Sequence, residues 1–274
     1  MQASEVASRS AITAPRGSAY AELSRTIRQA GLLERRPRYY AAQIGLVLVL
    51  CAAGVAAFVA VGNSWWQLVV AGFFAVVSTP VAFLGHDAGH KQILRSGQAI
   101  YALGVAFANL GVGFSYGWWV DKHSRHHAHP NHEEKDPDVE AGALIFTLGQ
   151  ARASSPVARL FHRYQAWTFF PLLLLEALNL RAASVRHLLG GRDRTRLREA
   201  LLIGLHVVAY LTVILLVLPP GKAAAFVVVH QALFGLYLGC SFAPNHKGMP
   251  ALSAAEEADY LRRQVLTSRN VRGH

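Results

Sequence analysis

Long uncharged apolar runs alternate with basic, polar segments along the chain. Four of these runs reach the length of roughly 20 residues that an α-helix needs to cross a bilayer. They are Ala41–Val61, Ser64–Gly85, Ala200–Leu218 and Ala223–Ala243. The short turns GNS and PPGK join the runs in pairs, which predicts two transmembrane helical hairpins. The pattern therefore predicts an all-α integral membrane protein.

Two shorter apolar stretches are ambiguous, Ala99–Phe114 and Trp167–Leu180. Both are short for a span, and the second contains Pro171 and Glu176. Stretches of this length more often lie at the membrane interface or re-enter the membrane. We therefore predict interfacial helices here and four transmembrane helices in all.

The charge distribution predicts the orientation of these helices. With four spans, 26 of the 27 Lys and Arg residues fall on one side and only Lys222 on the other. Cytoplasmic loops of membrane proteins carry such an excess of basic residues. Both termini are therefore predicted to be cytoplasmic, and the long loop between the hairpins is predicted to form a cytoplasmic helical cap.

Composition agrees with a membrane protein, since 53% of residues are hydrophobic and only 16% are charged, against roughly 25% charged in soluble domains. The net charge of +11 is typical of nucleic-acid binding when it forms one patch. Here the basic residues flank apolar runs instead, so we expect membrane lipid and no nucleic acid as a partner. Residues 1–40 are predicted to be a polar, Arg-rich cytoplasmic segment, with SRSAITAPRGS as a disordered lead-in, and residues 41–274 the membrane domain.

Histidines concentrate where the predicted spans meet the cytoplasm. DKHSRHHAHPNHEEKDPD, residues 121–138, holds five of the thirteen histidines. His86 and His90 are i, i+4 neighbours on one helix face, and His123 has the i+3 and i+4 relation to His126 and His127. His246 follows the fourth span. All of these groups are predicted to lie at one face of the membrane.

This set of imidazoles predicts a metal centre. Six ligands exceed the four of a structural zinc site and indicate a dinuclear centre, although imidazole alone suits Fe, Zn, Cu and Ni. Carboxylates that would accept the other ring N–H and orient the rings are Asp87, Asp121, Asp136 and Asp138. His129 and His132 are predicted either to lie at the surface or, like these carboxylates, to contact the metal ligands without binding the metal. His230, inside the fourth span, is predicted to form an interhelical hydrogen bond.

Four motifs give the chain a family resemblance: GHDAGH (85–90), WWVDKHSRHHAHPNHEEKDPD (118–138), FAPNHKGM (242–249) and QVLTSRNVRG (264–273). The chain resembles integral-membrane fatty acid desaturases, closest to bacterial acyl-CoA or acyl-lipid types with front-end-like sequence, from about residue 40 to its end. The resemblance implies two Fe ions, whose ligands in this chain are six histidines: His86, His90, His123, His126, His127 and His246. Asn245 is a weaker candidate beside His246.

The implied reaction is an O₂-dependent introduction of a cis double bond into an acyl chain. Two electrons are needed, and the chain has no GxGxxG motif, so a separate reductase and electron carrier are expected. No catalytic residue is predicted outside the metal centre. The aromatic residues Phe114, Tyr116, Trp118 and Trp119 are expected either near the substrate entrance or as interface anchors. Ala- and Arg-rich usage suggests a bacterial plasma membrane.

Three alternatives stay open. A lipid hydroxylase or ketolase would share the histidine boxes, and a membrane metal-binding or transport protein would be non-catalytic. The family's third box, [HQ]xxHH, has no counterpart, because no two adjacent histidines follow His127. The chain is therefore expected to be truncated before that box and to be, as the third alternative, an inactive fragment or pseudoenzyme.

Overall fold

The structure, a computed structural model, describes residues 19–191, 193–252 and 259–270. Within these ranges the chain is helical, and its β pairing is limited to one isolated bridge between His132 and Leu252. The elements are α1 (Ala19–Gln29), α2 (Pro37–Val61), α3 (Gln67–Gly89), α4 (Gly97–Val105), a π-helical segment (Ala106–Val112), α5 (Tyr116–Ala128), α6 (Leu148–Ala153), α7 (Pro156–Arg163), α8 (Gln165–Leu173), α9 (Glu176–Leu189), α10 (Arg194–Val217), α11 (Pro220–His246) and α12 (Tyr260–Thr267).

Four helices, α2, α3, α10 and α11, are long and apolar enough to cross a membrane. The predicted all-α architecture with four such helices is therefore confirmed. α10 begins ahead of its apolar run because the Asp193 side chain caps it, accepting from the amides of Thr195 and Arg196 at 3.0 Å each. α11 begins at Pro220, a residue suited to the first helical turn, and continues through Pro244.

The two ambiguous stretches fold as bent helix pairs. The helix Gly97–Val112, which is α4 with the π-helical segment, meets α5 at 109°, and α8 meets α9 at 72°. Such bends are typical of a broken span or a re-entrant loop, and counting each pair as a span would raise the total to six. Gly113 makes the first bend, with φ 73°, where an added Cβ would also lie 2.7 Å from the His206 ring.

The hairpin turns lie together at one end of the molecule. Lys222, in the first turn of α11, donates to the Asn63 side chain of the turn between α2 and α3 at 2.9 Å. Since α2 pairs with α3 and α11 packs along α3, the ends of α3 and α11 that carry His86 and His246 lie together at the opposite end. Apolar side chains fill the core between them, among them Leu84 and Phe234.

His230 bonds Tyr210 of α10 at 2.7 Å and Ser78 of α3 at 3.2 Å, which confirms the interhelical hydrogen bond. The SRSAITAPRGS stretch lies outside the described residues. The remainder of the polar N-terminal segment includes α1, an amphipathic helix whose Tyr20 packs edge-on against Tyr260 of α12.

Candidate metal centre

The last turn of α3 carries the first histidine pair. His86 and His90 have ring centroids 4.6 Å apart, as their i, i+4 spacing requires. Nδ1 of His86 lies 3.0 Å from Oδ1 of Asp87, and the Tyr40 hydroxyl lies 3.1 Å from the other oxygen of that carboxylate. The ring of His86 is therefore oriented by a chain of hydrogen bonds that begins on α2.

α5 brings the second group of histidines against the first. Nε2 of His123 lies 2.9 Å from Nε2 of His90 and 2.9 Å from Nε2 of His127. One ligand atom from each of His86, His90 and His123 falls within 4.8 Å of the others. Imidazoles from two helices thus converge on one small region, which is the arrangement that a bound cation requires.

His126 faces a second group of ligand atoms. Its Nδ1 lies 2.9 Å from Oδ1 of Asp136 and 3.3 Å from Oδ2 of Asp138. Asp138 is paired with Lys122 on its other side. Burial alone would raise the pKa of Asp138, but Lys122 and His126 lower it overall, so this carboxylate is ionised at neutral pH.

The end of α11 supplies His246, whose ring centroid lies 4.6 Å from that of His126. Its Nδ1 is 3.0 Å from the carbonyl oxygen of Thr267. A carbonyl oxygen can only accept, so Nδ1 of His246 carries the hydrogen and Nε2 keeps its lone pair. His86 and His126 are held in the same way, with a carboxylate at Nδ1, a pattern typical of metal-bound histidine.

Two of the α5 imidazoles, those of His123 and His127, stay neutral at pH 7. Desolvation, followed by repulsion from the neighbouring imidazoles, lowers the pKa of His123 to about 2 and that of His127 to about 4. Histidine must be neutral to coordinate a metal. These rings therefore need no proton loss at pH 7 before they bind one.

Two of the candidate residues lie at exposed positions. Asp121 forms an exposed ion pair with Arg125 at 3.1 Å, and Asn245 is exposed, its backbone carbonyl accepting from the Arg269 amide. Of the two alternatives predicted for His132, the surface position is wrong, because its side chain is fully buried and its backbone pairs with Leu252. Most residues around His132 are polar, and a polar stretch is usually exposed, so the sequence did not predict its burial.

An open cavity of about 380 Å³ borders the histidines. It is lined by His90, His123, His127, Trp119, Tyr260 and three smaller residues. The Trp119 ring stacks on His123 at 4.3 Å. Phe114 and Tyr116 are buried in the protein interior, which does not fit the alternative of interface anchors for these two.

Sequence reasoning missed several residues that support the cluster. Thr267 contributes a backbone carbonyl, and Gln264 donates to the carbonyl of His127 at 2.7 Å. Asn131 donates to the carbonyl of His246 at 3.0 Å. A backbone carbonyl has no side-chain signature, and only the HPN motif around Asn131 offered any signal.

The sequence agrees with a known family over most of this architecture. Residues 63–274, which include every histidine of the cluster, match the family model described as fatty acid desaturase. The chain belongs to the fatty acid desaturase family. It is similar to a Δ8-fatty-acid desaturase of Helianthus annuus, with 26% identity over 63% of this chain and 40% of the relative.

Two further relatives of this chain are also desaturases by name. An acyl-lipid (8-3)-desaturase of Rebecca salina is 26% identical over 88% of this chain and 56% of its own length. An acyl-lipid (9-3)-desaturase of Borago officinalis is 29% identical over 60% of this chain and 39% of its own length. The chain thus spans about half or less of the length of these curated relatives.

Proposed function

We propose that this chain provides the metal-binding part of a membrane-bound diiron fatty acid desaturase that introduces a cis double bond into an acyl chain. The observation that carries the proposal is the convergence of imidazoles from three helices, with Nδ1 of His86, His126 and His246 each held by an oxygen. In metalloproteins such contacts fix the ring so that Nε2 faces the ion.

The donor set fits iron. Six imidazoles would hold two Fe ions: His86, His90, His123, His126, His127 and His246. Asp87, Asp136 and Asp138 would orient the rings, while Asp121 and Asn245 stay weaker candidates at exposed positions. The irons would supply the O₂-dependent oxidation that no side chain can perform by acid–base chemistry.

The protein's own residues would bind and place the acyl chain. The cavity beside Trp119 borders His90 and His123, so a hydrocarbon tail there would lie next to the metal ligands. The reaction removes two hydrogens from adjacent carbons, and with two electrons and two protons O₂ is reduced to two waters. A separate reductase and electron carrier would supply the electrons, and acyl-CoA or acyl-lipid would be the substrate.

We also propose the orientation. The histidine end would face the cytoplasm of a bacterial plasma membrane, with both termini on that side, because basic residues are strongly biased to it. The single Lys222, at the hairpin turns, would face the other side. A basic surface would also attract an acidic electron carrier.

The proposal is tested by metal and lipid analysis of the full gene product. Purified protein should contain about two Fe per chain, and cells that express it should gain acyl chains lighter by two mass units. His126→Ala should lose both the iron and the product. His162→Ala is the matched control, because His162 bonds the Gly142 carbonyl and Ser154 away from the cluster.

Different results separate the other functions. Products heavier by sixteen mass units would show a hydroxylase instead. Metal flux into liposomes without lipid change would show a transporter. Iron binding with no lipid change, when reductase and carrier are supplied, would show a metal-binding protein that is not a desaturase.

A further inference from the structure

Side chains satisfy every amide at the start of α5, the helix that carries His123, His126 and His127. The first amides of a helix have no partner within the helix. Here one acceptor is Ser115, which bonds the amide of Trp118 at 3.1 Å. The others come from three different elements: Asn109 of the π-helical segment, Ser184 of α9 and Glu199 of α10.

Glu199 is the charged member of this group. Its side chain is 2% exposed, although it lies in the second turn of a candidate transmembrane helix. It accepts from the Ser115 hydroxyl at 2.6 Å, from Asn109 Nδ2 at 3.3 Å and from the Gly117 amide at 3.1 and 3.2 Å. These donors, all uncharged, and the positive end of the α5 dipole stabilise a carboxylate that burial would otherwise penalise.

The close fit at Gly117 shows how tightly Glu199 holds this helix. A Cβ added at Gly117 would lie 2.9 Å from Oε1 of Glu199, so the carboxylate touches the backbone itself. His123 lies eight residues beyond Ser115, roughly 12 Å along the helix at 1.5 Å per residue. A shift or rotation at the first turn would therefore move His123, His126 and His127 together relative to α3 and α11.

We propose that Glu199 is a positioning residue: it fixes the first turn of α5 on α10, so that the α5 histidines meet those of α3 and α11. Only the expected effect of Glu199 on metal binding rests on the proposed function. The role in holding α5 is independent of the metal. Glu199 touches neither the histidines nor the cavity, so it acts through the helix.

Two substitutions at Glu199 test this role. Glu199→Leu removes both carboxylate oxygens and leaves the Gly117 amide and the Ser115 O–H without their Glu199 acceptor. Glu199→Gln keeps the shape and one acceptor oxygen. Gln67→Leu is the matched control, because Gln67 is equally buried and bonds the carbonyls of Phe58 and Gly62 at the far end of the molecule.

The measurements are amide hydrogen exchange in the metal-free protein in nanodiscs and Co²⁺ affinity by competition with a chelator. In Glu199→Leu, we expect exchange across α5 to rise roughly tenfold while α3 and α11 stay protected. Co²⁺ affinity should fall about tenfold or more, with an altered Co²⁺ absorption spectrum. Glu199→Gln should give smaller changes of the same kind, and Gln67→Leu should change neither α5 exchange nor Co²⁺ affinity.

Exchange in α5 decides the role of Glu199, and metal binding by the wild-type protein decides the proposed function. Unchanged exchange in α5 in both Glu199 variants would overturn the inference. If wild-type protein binds no Co²⁺ or iron, the proposed function fails, while α5 exchange still decides the role of Glu199. If Glu199→Leu does not fold, Glu199→Gln decides: faster exchange confined to α5 supports the inference, and uniform or absent change contradicts it.

Discussion

Nδ1 of His126 lies 2.9 Å from Oδ1 and 3.0 Å from Oδ2 of Asp136, and both side chains are almost fully buried. Asp136 is itself held, because its oxygens accept from the amides of Asn131 at 2.7 Å and Asp138 at 2.8 Å. The loop after α5 thus folds back and places one fixed carboxylate behind the His126 ring. This contact fixes the orientation of the His126 ring.

Asp136→Asn should therefore weaken metal binding. The neutral amide no longer favours the ring orientation and the hydrogen on Nδ1, and loss of such a contact typically lowers metal affinity by about 10- to 100-fold. Fe²⁺ affinity measured by chelator competition checks this. Asp121→Asn is the control, since Asp121 forms only an exposed pair with Arg125. Equal affinities of the two variants would contradict the role of Asp136.

Gly89→Ala should disturb the stacking of Trp119. A Cβ at this position would lie 2.4 Å from Cζ3 of Trp119, whose ring stacks on His123. The indole must move, which should destabilise the fold by about 1–3 kcal/mol and lower Fe²⁺ affinity. Unfolding in mixed micelles and chelator competition measure the two effects.

The control for this substitution is Gly204→Ala. Gly204 has no atom within 4 Å of an added Cβ, and alanine is at least as good a helix former. We expect no loss of stability and no change in Fe²⁺ affinity. A Gly89→Ala variant that matches this control would show that the Trp119 stack is not needed.

Patterns local in sequence predicted most of the fold and the histidine cluster. The four long helices followed from apolar length, because lipid admits few charges over 20 residues. His86 with His90, and His123 with His127, followed from helical spacing, because i and i+4 side chains share a face.

The supporting contacts could not be predicted, because they join residues far apart in sequence. Asp121 and Asp136 are chemically identical candidates, and only the loop closed by Asn131 decides which one reaches His126. Glu199 comes just before the apolar run that starts at Ala200. A charge at such a position usually marks the boundary of a span and is solvated, so its burial was not predicted. Its burial depends on the bend at Gly113 that brings α5 to α10.

Tyr210→Phe should destabilise the helix bundle without affecting the metal centre. The Tyr210 hydroxyl bonds Nδ1 of His230 at 2.7 Å, and interhelical hydrogen bonds of this kind contribute about 1 kcal/mol in membrane proteins. We expect a loss of that size in the free energy of unfolding. Tyr237→Phe, the same change on an exposed tyrosine, should cost less, and equal losses would contradict the assignment.

The orientation can be tested with single cysteines in a background without Cys51 and Cys240. Gly221→Cys lies at an exposed position in the first turn of α11, and Glu140→Cys lies in the exposed loop after α5. Because the proposed four-span topology puts 26 of the 27 Lys and Arg residues on the histidine side, a membrane-impermeant maleimide should label Gly221→Cys in intact cells. It should label Glu140→Cys only after the cells are permeabilised. The reverse result would place the histidines outside the cytoplasm and would contradict the proposed orientation. It would also contradict the proposed electron route, because a cytoplasmic reductase could not supply electrons to that side.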